Sequence, residues 1–536
     1  MDELSRRQFL AASAAGAAAA MLSGCAVSGD KGGTIRNVIA QTREGPVLGV
    51  SLGESVRFLG VPFAAAPVGP LRFKAPQAAA KREGVFSAMS FAPAPIQNAP
   101  REGLYGPGIL PLSEDCLAVN IWRPHSDGPN PVYVWIHGGG NVAGSSRMPV
   151  FDGAQFARDG IVCVTLSYRV GCFGFLDVSP ILGSDYAGSG NNGMLDIVAA
   201  LEWVRDNIAE FGGDPLAITV GGQSAGAKNV CTLLGMPAAK NLFRAAIVES
   251  GGAETINTPE AAIEMANLFA DEAGGDEAVL GQMPARELLA IQNRVSSRWP
   301  RKYPFRPVID GIHLLELPLF ALHSGRASRI PLLIGTTRDE IAFFGPNARR
   351  DGTVVQGDLA NMSLSAFSAV YADYPKVFPD ACATDLRYAA LTAEEYGIPT
   401  INAADAHGGK APTWRYRFDM PRSTAPNADY AVHGSELALV WNKLDDPGSA
   451  LLGPEGSEAD MLSTRMHAHW VSFIQNGRPD AAIDPDWDAY EASARTTLLF
   501  DTQSRVVGDP EGAERKLWSS AKFDFSQSRN WEEASA

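Results

Sequence analysis

The segment AITVGGQSAG, residues 217–226, places one hydroxyl between glycines where a β-branched run gives way to a helical pattern. Gly222, Ser224 and Gly226 match Gly-x-Ser-x-Gly, in which a sharp strand-to-helix turn presents a serine Oγ as a nucleophile. A glycine-rich turn whose serine caps the helix is the alternative interpretation. A nucleophilic serine needs a histidine base, an acid that orients the base, and oxyanion donors, so these partners must be sought elsewhere in the chain.

Candidate oxyanion donors follow the apolar segment PVYVWI, where HGGG occupies residues 137–140. Three glycines allow the backbone to approach a substrate closely. Their N–H groups, together with that of Ala225, would stabilise the negative charge of a tetrahedral intermediate. A flexible surface loop is the alternative.

A dinucleotide site is a second chemistry that these glycines suggest, because Gly138, Gly140 and Ala143 match G-x-G-x-x-A after a strand. Pro149 interrupts the segment that follows, and no helical pattern begins there. The next strand ends in Tyr168-Arg169-Val170 without an acidic ribose ligand. The context therefore argues against a dinucleotide site.

Eight histidines compete for the role of base. His433 follows the predicted strand TWRYRFDM and precedes a helical pattern, which places it at the carboxyl side of a strand. His467 and His469 are two residues apart on a helical pattern, so their side chains point apart and suit neither one metal nor one serine. For any single histidine, a structural role is the alternative.

The acid has two candidates, since IPLLIGTTRDE ends a predicted strand with Asp339 and Glu340. Spacing alone does not choose between the two carboxylates. With either one, the order serine, acid, histidine along the chain is the order found in α/β-hydrolases.

The elements that would position these residues alternate along the chain from about residue 34. Nearly continuous apolar runs predict strands buried on both faces, at residues 131–136, 161–170, 217–220, 243–250 and 330–336. Between them, residues 194–212 carry apolar side chains at helical spacing. No linker separates two domains. We therefore predict one α/β domain over residues 34–525, with a large, mostly parallel central sheet flanked by helices and with insertions.

Composition limits the partners. The chain of 536 residues is 46% apolar and 20% charged, which is typical of a globular protein, and its net charge of -15 argues against nucleic acid or anionic lipid as a partner. Apart from Cys25, the cysteines are odd in number and scattered, without zinc spacing. We expect buried thiols, no metal and no cofactor.

The N-terminus has the features of an export signal. Arg6 and Arg7 precede Phe9 and an Ala-rich stretch that is too short to span a membrane. Residues 1–24 resemble a twin-arginine signal peptide, and residues 22–25, LSGC, resemble the lipobox of bacterial lipoproteins. The resemblance implies a periplasmic protein or a membrane-anchored lipoprotein lipidated on Cys25. An ordinary cleavage site near a chance cysteine is the alternative.

Taken together, the motifs resemble the type-B carboxylesterase family, the cholinesterase-like and para-nitrobenzyl esterase-like α/β-hydrolases, over about residues 45–501. The matching segments, in the order of the family, are RFLGVPFAAAPVGPLRFKAP, SEDCLAVNIWRP, VYVWIHGGG, SYRVGCFGFL, GNNGMLDIVAALEWVRDNIAEFGGDP, GGQSAG, LFRAAIVESGG, PVIDG, GTTRDE and VHGSEL. The resemblance implies an α/β-hydrolase fold and hydrolysis of small-molecule carboxylic esters through an acyl-enzyme.

Carried over residue by residue, the resemblance implies three catalytic roles: Ser224 as nucleophile, His433 as base, and Glu340 rather than Asp339 as acid. It also implies an oxyanion hole formed by the N–H groups of Gly139, Gly140 and Ala225. A lactonase, amidase or thioesterase would use the same groups, and a non-catalytic binding protein on this fold is the alternative outside the enzymes.

Two departures from the family's pattern stand out. Gln223 occupies the position where the family usually has glutamate, which removes a negative charge beside the nucleophile. Cys116 is present, but its usual upstream partner is replaced within residues 92–97, so we expect no disulfide there. Because no amphipathic lid segment is evident, and because an anionic acyl group would meet repulsion in an acidic protein, we expect neutral esters with short acyl groups to be the preferred substrates.

Overall fold

The computed structural model describes residues 35–99, 109–126, 128–274, 280–327, 329–344, 351–422, 428–445, 453–479, 482, 487–521 and 523. The predicted signal peptide, Cys25 and both ends of the predicted domain 34–525 lie outside the described residues. Among the described residues, thirteen strands belong to one sheet. They are β1 Arg36–Thr42, β2 Gly45–Leu52, β3 Ser55–Pro62, β4 Phe86–Ser87, β5 Ala118–Arg123, β6 Asn130–Ile136, β7 Val162–Leu166, β8 Gly213–Gln223, β9 Ala245–Glu249, β10 Leu332–Thr337, β11 Thr413–Phe418, β12 Thr496–Phe500 and β13 Arg505–Gly508.

The strand order is β1-β2-β3-β5-β7-β6-β8-β9-β10-β11-β12-β13, with β4 paired to β2. The seven strands from β7 to β12 in this order are parallel to one another. The pairings at both margins are antiparallel, apart from the short parallel pair β2–β4. The predicted mostly parallel sheet is therefore confirmed.

Helices connect the strands. They are α1 Ala154–Arg158, α2 Cys172–Phe175, α3 Ser179–Leu182, α4 Asn192–Asn207, α5 Ala225–Gly235, α6 Pro259–Glu272, α7 Ala285–Arg298, α8 Pro318–His323, α9 Leu364–Tyr371, α10 Tyr374–Val377, α11 Ala383–Thr392, α12 Ile398–His407, α13 Leu437–Val440, α14 Ser457–Asn476 and α15 Gly512–Trp518. None of the helices in the described part of the chain is long and apolar enough to cross a membrane.

Burial on both faces explains the continuous apolar runs of the central strands. In β6, Val134 packs into a core that contains Leu201 of α4, whereas its neighbour Trp135 packs into a second core that contains Trp470 of α14. Because side chains alternate between the two faces, a strand covered by helices on both sides has no polar face.

The predicted elements are found, with different ends. The run predicted at residues 161–170 leaves the sheet at Leu166, because the residues after it pack elsewhere: the Tyr168 ring stacks on the His137 ring, with their centroids 4.5 Å apart. The helix predicted over 194–212 is α4, followed by the short 3-10 turn Ile208–Phe211 and by Gly212 in a left-handed conformation.

The five cysteines within the described residues are free thiols, and all are buried except Cys382. Cys116 is among the buried ones.

Parallel strands bring the candidate residues to one edge of the sheet. The HGGG segment follows β6, Ser224 follows β8, and Glu340 lies three residues beyond β10. Since β6 and β8 are paired with Ile136 opposite Gly222, the two glycine-rich segments emerge side by side. This edge, at the carboxyl ends of the strands, is where α/β sheets bind ligands.

Candidate active site

Ser224 occupies the turn between β8 and α5 in a strained backbone conformation, with φ 58° and ψ -125°. Non-glycine residues rarely adopt such a conformation unless the surrounding structure enforces it. Here the Ser224 N–H donates to the Glu249 carbonyl at 2.9 Å, and the Ser224 carbonyl accepts from the Lys228 N–H at 3.0 Å. The turn is thus fixed from the adjacent strand and from the helix that follows.

The two glycines around Ser224 are required by close backbone contacts. A Cβ on Gly222 would lie 2.6 Å from the carbonyl carbon of Gly226, and a Cβ on Gly226 would lie 2.1 Å from the Ile136 oxygen. In the described residues the Ser224 side chain makes no capping hydrogen bond to α5. It lines a cavity instead, so the capping interpretation does not describe this serine.

His433 and Glu340 form a buried pair. Nδ1 of His433 lies 2.5 Å from Oε2 of Glu340, and the other carboxylate oxygen accepts from the Thr337 N–H at 2.9 Å. Glu340 is fully buried, and His433 is 7% exposed. The imidazole is therefore held at one nitrogen by a carboxylate that is itself fixed by the backbone.

Asp339, which spacing alone did not distinguish from Glu340, has different partners. Its Oδ2 accepts hydrogen bonds from the Ala431 N–H at 3.0 Å and from the Arg338 Nε at 2.9 Å. Burial raises the pKa of Asp339, and Arg338 opposes that shift. This carboxylate joins two loops and does not contact the imidazole.

Gln223 contacts the second nitrogen of the imidazole. Its Nε2 lies 3.2 Å from Nε2 of His433, and the glutamine side chain is buried. When Nδ1–H donates to the Glu340 carboxylate, Nε2 carries a lone pair, so the Gln223 amide is the donor in this contact. The residue at which the chain departs from the family pattern therefore touches the candidate base.

The HGGG segment is shaped by positive φ angles at Gly139 (119°) and Gly140 (62°). Gln97 fixes the loop that follows, because its side chain donates to the Gly144 carbonyl at 2.7 Å and accepts from the Gly144 N–H at 2.9 Å. Within the described residues, no acceptor takes a hydrogen bond from the N–H groups of Gly139, Gly140 or Ala225. These three N–H groups are therefore candidate donors to a ligand.

A cavity of about 390 Å³ joins these groups. Ser224, His433, Gln223 and residues 138–140 contribute its polar wall, and the apolar side chains along it are Met148, Phe151, Phe343, Phe344 and Leu437. A mostly apolar cavity with a few convergent polar groups is typical of a small-molecule site. Of the predicted site residues, Ser224, His433, Gly139 and Gly140 line this cavity. Glu340 contacts His433, Ala225 directly follows Ser224, and Cys25 lies outside the described residues.

Sequence reasoning missed several residues of the site. Gln97, Tyr303 and Phe344 line the cavity, and the Tyr396 ring lies 4.8 Å from the His433 ring, centroid to centroid. They come from segments far apart in the chain, so no local spacing indicates them. Gln97 lies in the segment 92–97, in which the usual cysteine partner of Cys116 is replaced.

His467, one of the other histidines, has structural partners. His467 contacts the Val440 carbonyl through Nδ1 at 2.7 Å and Asp159 Oδ2 through Nε2 at 2.9 Å. In the ranges that the structure describes, no cluster of three His, Cys, Asp or Glu side chains could hold a metal ion.

Known proteins share this sequence and fold. A model described as the carboxylesterase family matches residues 36–518, and a model of twin-arginine translocation pathway signal sequences matches residues 3–23. The chain is 36% identical to the para-nitrobenzyl esterase of Bacillus subtilis (strain 168) over 488 residues, covering 89% of this chain and 98% of that protein. It is 35% identical to the fumonisin B1 esterase of Sphingopyxis macrogoltabida over 498 residues, covering 89% and 88%.

Solved structures agree with the sequence relatives. A thermophilic PNB esterase has a TM-score of 0.81 and 34% identity, covering 89% of this chain and 99% of that chain. A Geobacillus stearothermophilus carboxylesterase has a TM-score of 0.79 and 36% identity, covering 90% and 100%. The chain therefore carries a signal for export, belongs to the carboxylesterase family, and is a carboxylic ester hydrolase with the α/β-hydrolase fold.

Proposed function

We propose that the protein hydrolyses carboxylic esters through an acyl-enzyme, with Ser224 as nucleophile, His433 as base and Glu340 as acid. The observation that carries the proposal is the 2.5 Å contact between His433 and Glu340 at a cavity that Ser224 and His433 both line. A serine on a strained turn, a base and a buried orienting acid are the three parts that such a mechanism requires.

In the first half of the reaction, Oγ of Ser224 forms a bond to the ester carbonyl carbon while its proton passes to Nε2 of His433. In the resting enzyme the Gln223 amide donates a hydrogen bond to this nitrogen. That hydrogen bond must break before Nε2 can accept the serine proton. The tetrahedral intermediate then collapses, the bond to the alcohol oxygen breaks, and His433 returns the proton to the leaving alkoxide. Water repeats the sequence on the acyl-enzyme and releases the acid.

The N–H groups of Gly139, Gly140 and Ala225 form the proposed oxyanion hole. Support comes from their position on two adjacent segments at the carboxyl ends of β6 and β8, and from the lack of competing acceptors among the described residues. Donors fixed in place before the reaction stabilise developing charge without reorganisation.

Neutral esters with short acyl groups are the proposed substrates. The largely apolar wall of the cavity supports an uncharged ligand, and its volume of about 390 Å³ supports one of modest size. The relatives are named for different esters, para-nitrobenzyl esters in one and fumonisin B1 in another, so their names do not select the natural substrate.

Residues 34–525 form the proposed single hydrolase domain, preceded by the signal peptide 1–24. The family match over residues 36–518 and the signal match over residues 3–23 support this division. We propose further that Cys25 is lipidated after export, on the basis of the LSGC segment. More than one acyl chain is needed for stable anchoring, and the lipoprotein modification would supply them.

Hydrolysis rates across p-nitrophenyl esters of increasing acyl length, with matched amides and lactones, test the proposed substrate class. We expect short acyl esters to give the highest kcat/KM. Faster turnover of amides or lactones would favour the alternative hydrolases. No activity on any of them by the folded protein would favour a binding protein.

A further inference from the structure

A second, small cavity is lined in part by the proposed nucleophile, Ser224. Its volume of about 10 Å³ is close to that of a single water site. Among the residues that line it are Gly140, Ser224 and Ala225, which belong to the proposed nucleophile and oxyanion hole, and two cations, Lys228 and Arg306. Positive side chains therefore border the place where negative charge would develop.

Lys228 is buried one helical turn after Ser224. Its Nζ lies over two aromatic rings, 5.3 Å from the centroid of Tyr303 and 4.8 Å from that of Tyr396. It is 3.6 Å from Oε1 of Glu395. An apolar side chain could pack against these rings without a desolvation penalty. Burying an ammonium ion, in contrast, carries a large desolvation penalty. A buried charge beside a reactive centre is a candidate for a functional role.

Glu395 does not neutralise this group of charges. Its second oxygen pairs with Lys302 at 3.3 Å, so one carboxylate serves two lysines. The guanidinium of Arg306 donates to the carbonyls of Lys302, Tyr303 and Ala360 and to the Asn361 side chain, all of which are uncharged acceptors. Lys228 and its two cationic neighbours thus leave a net positive charge near the small cavity.

The second carboxylate of this group is Glu394, which accepts from the N–H groups of Ala360 and Asn361. Burial raises the pKa of Glu394 to about 7, so it adds little negative charge below neutral pH. The titratable and charged groups that face Lys228 are Glu394, Glu395, Lys302, Arg306, Tyr303 and Tyr396.

We propose that Lys228 is a positioning residue for the oxyanion: from the small cavity that it lines together with Gly140 and Ala225, its ammonium adds positive potential that stabilises the tetrahedral intermediate formed on Ser224. The inference rests on the proposed function and assigns it an electrostatic component that the backbone donors do not provide. In a cavity with little room for solvent, such a charge acts more strongly than it would in water.

The charge of Lys228 also predicts an alkaline limit. Burial lowers the pKa of Lys228, and Arg306 adds to that effect, while Glu395 opposes it. As pH rises, the ammonium therefore loses its proton earlier than an exposed lysine would, and the stabilisation of the intermediate falls with it. An arginine at this position would stay protonated through the same range.

The test compares Lys228→Met with Lys302→Met, which removes a cation from the same group but not from the cavity wall. Burst titration counts the active enzyme in each preparation. Wild-type protein without Ser224-dependent turnover would contradict the proposed function, whereas the comparison of the variants tests the role of Lys228 alone. We expect kcat for a p-nitrophenyl ester to fall about tenfold in Lys228→Met, while KM stays within about twofold of wild type. In Lys302→Met, kcat should fall less than about threefold. Wild-type kcat in folded Lys228→Met, or equal losses in the two variants, would overturn the proposal.

Lys228→Arg provides a second comparison. If Lys228→Met does not fold, this variant alone tests the proposal. We expect Lys228→Arg to keep kcat within about threefold of wild type at neutral pH and to remain active at alkaline pH where wild-type kcat declines. An alkaline limb unchanged by the arginine substitution would show that Lys228 does not supply the charge.

Discussion

Oε2 of Glu340 lies 2.5 Å from Nδ1 of His433, while the neighbouring carboxylate of Asp339 binds the Ala431 N–H and Arg338 instead. Two adjacent acids of the same strand end thus have separate tasks. The first orients a ring, and the second joins loops.

This separation predicts unequal effects of neutralising the two acids. We expect Glu340→Gln to lower kcat at least about a hundredfold, because an amide neither fixes the tautomer of His433 nor stabilises the imidazolium. Asp339→Asn serves as the matched control and should stay within about threefold of wild type. Steady-state kinetics on a p-nitrophenyl ester measure both, and the reverse ranking would reassign the acid.

Gln223 predicts a change in pH dependence. Its amide donates at 3.2 Å to Nε2 of His433, the nitrogen that takes the serine proton in the proposed mechanism. A carboxylate at this position would favour the imidazolium, so Gln223→Glu should move the acid limb of the kcat/KM profile to higher pH by about one unit. Gln223→Met, which has similar length, loses the amide donor but adds no negative charge, so it should move that limb much less than Gln223→Glu. Superimposable profiles for Gln223→Glu and wild type would contradict this account.

Much of the fold could be predicted from the sequence because the signals were local. Continuous apolar runs marked strands such as β9 and β10, and their burial on both faces leaves no polar alternation that would obscure them. The ends of the strands were predicted less accurately than their positions. β8 extends beyond the predicted residues 217–220 to Gly213–Gln223, since pairing with β6 rather than side-chain hydrophobicity decides where a strand stops.

For the candidate site, too, local sequence patterns predicted some residues and not others. Ser224 and the HGGG segment were found through glycines whose spacing reflects close backbone contacts. The choice between Asp339 and Glu340 required the three-dimensional positions of Ala431 and His433, which lie about ninety residues further along the chain. Lys228 had no distinguishing signal, because its partner Glu395 comes from a distant segment.

Glu249 predicts a pH-dependent stability. It is fully buried on β9, accepts from Trp470 Nε1 at 2.7 Å, and has a pKa raised by burial to about 8. Because this pKa lies above that of the unfolded chain, the protonated carboxyl stabilises the fold at acidic pH, and that stability is lost as pH rises toward 8. Glu249→Gln keeps an acceptor for Trp470 and never ionises. Its urea midpoint should match wild type near pH 5 and exceed it near pH 9. Equal midpoints at both pH values would show that Glu249 ionises freely in the folded protein.

Cys25 predicts the cellular location. We expect wild-type protein to fractionate with membranes after export and Cys25→Ser to be released in soluble form, because the acyl chains supply the attachment. Replacing both Arg6 and Arg7 by lysine controls for export itself and should retain the protein in the cytosol. Soluble exported wild-type protein would refute lipidation while leaving the export signal intact.

The central claim is that Ser224 and His433 carry out acyl transfer, and kcat of the two alanine variants tests it most directly. Circular dichroism and the unfolding midpoint first establish that Ser224→Ala and His433→Ala are folded. Each should then hydrolyse a short p-nitrophenyl ester at least about a thousandfold more slowly than wild type, without a pre-steady-state burst. Near-normal turnover by folded Ser224→Ala would contradict the mechanism.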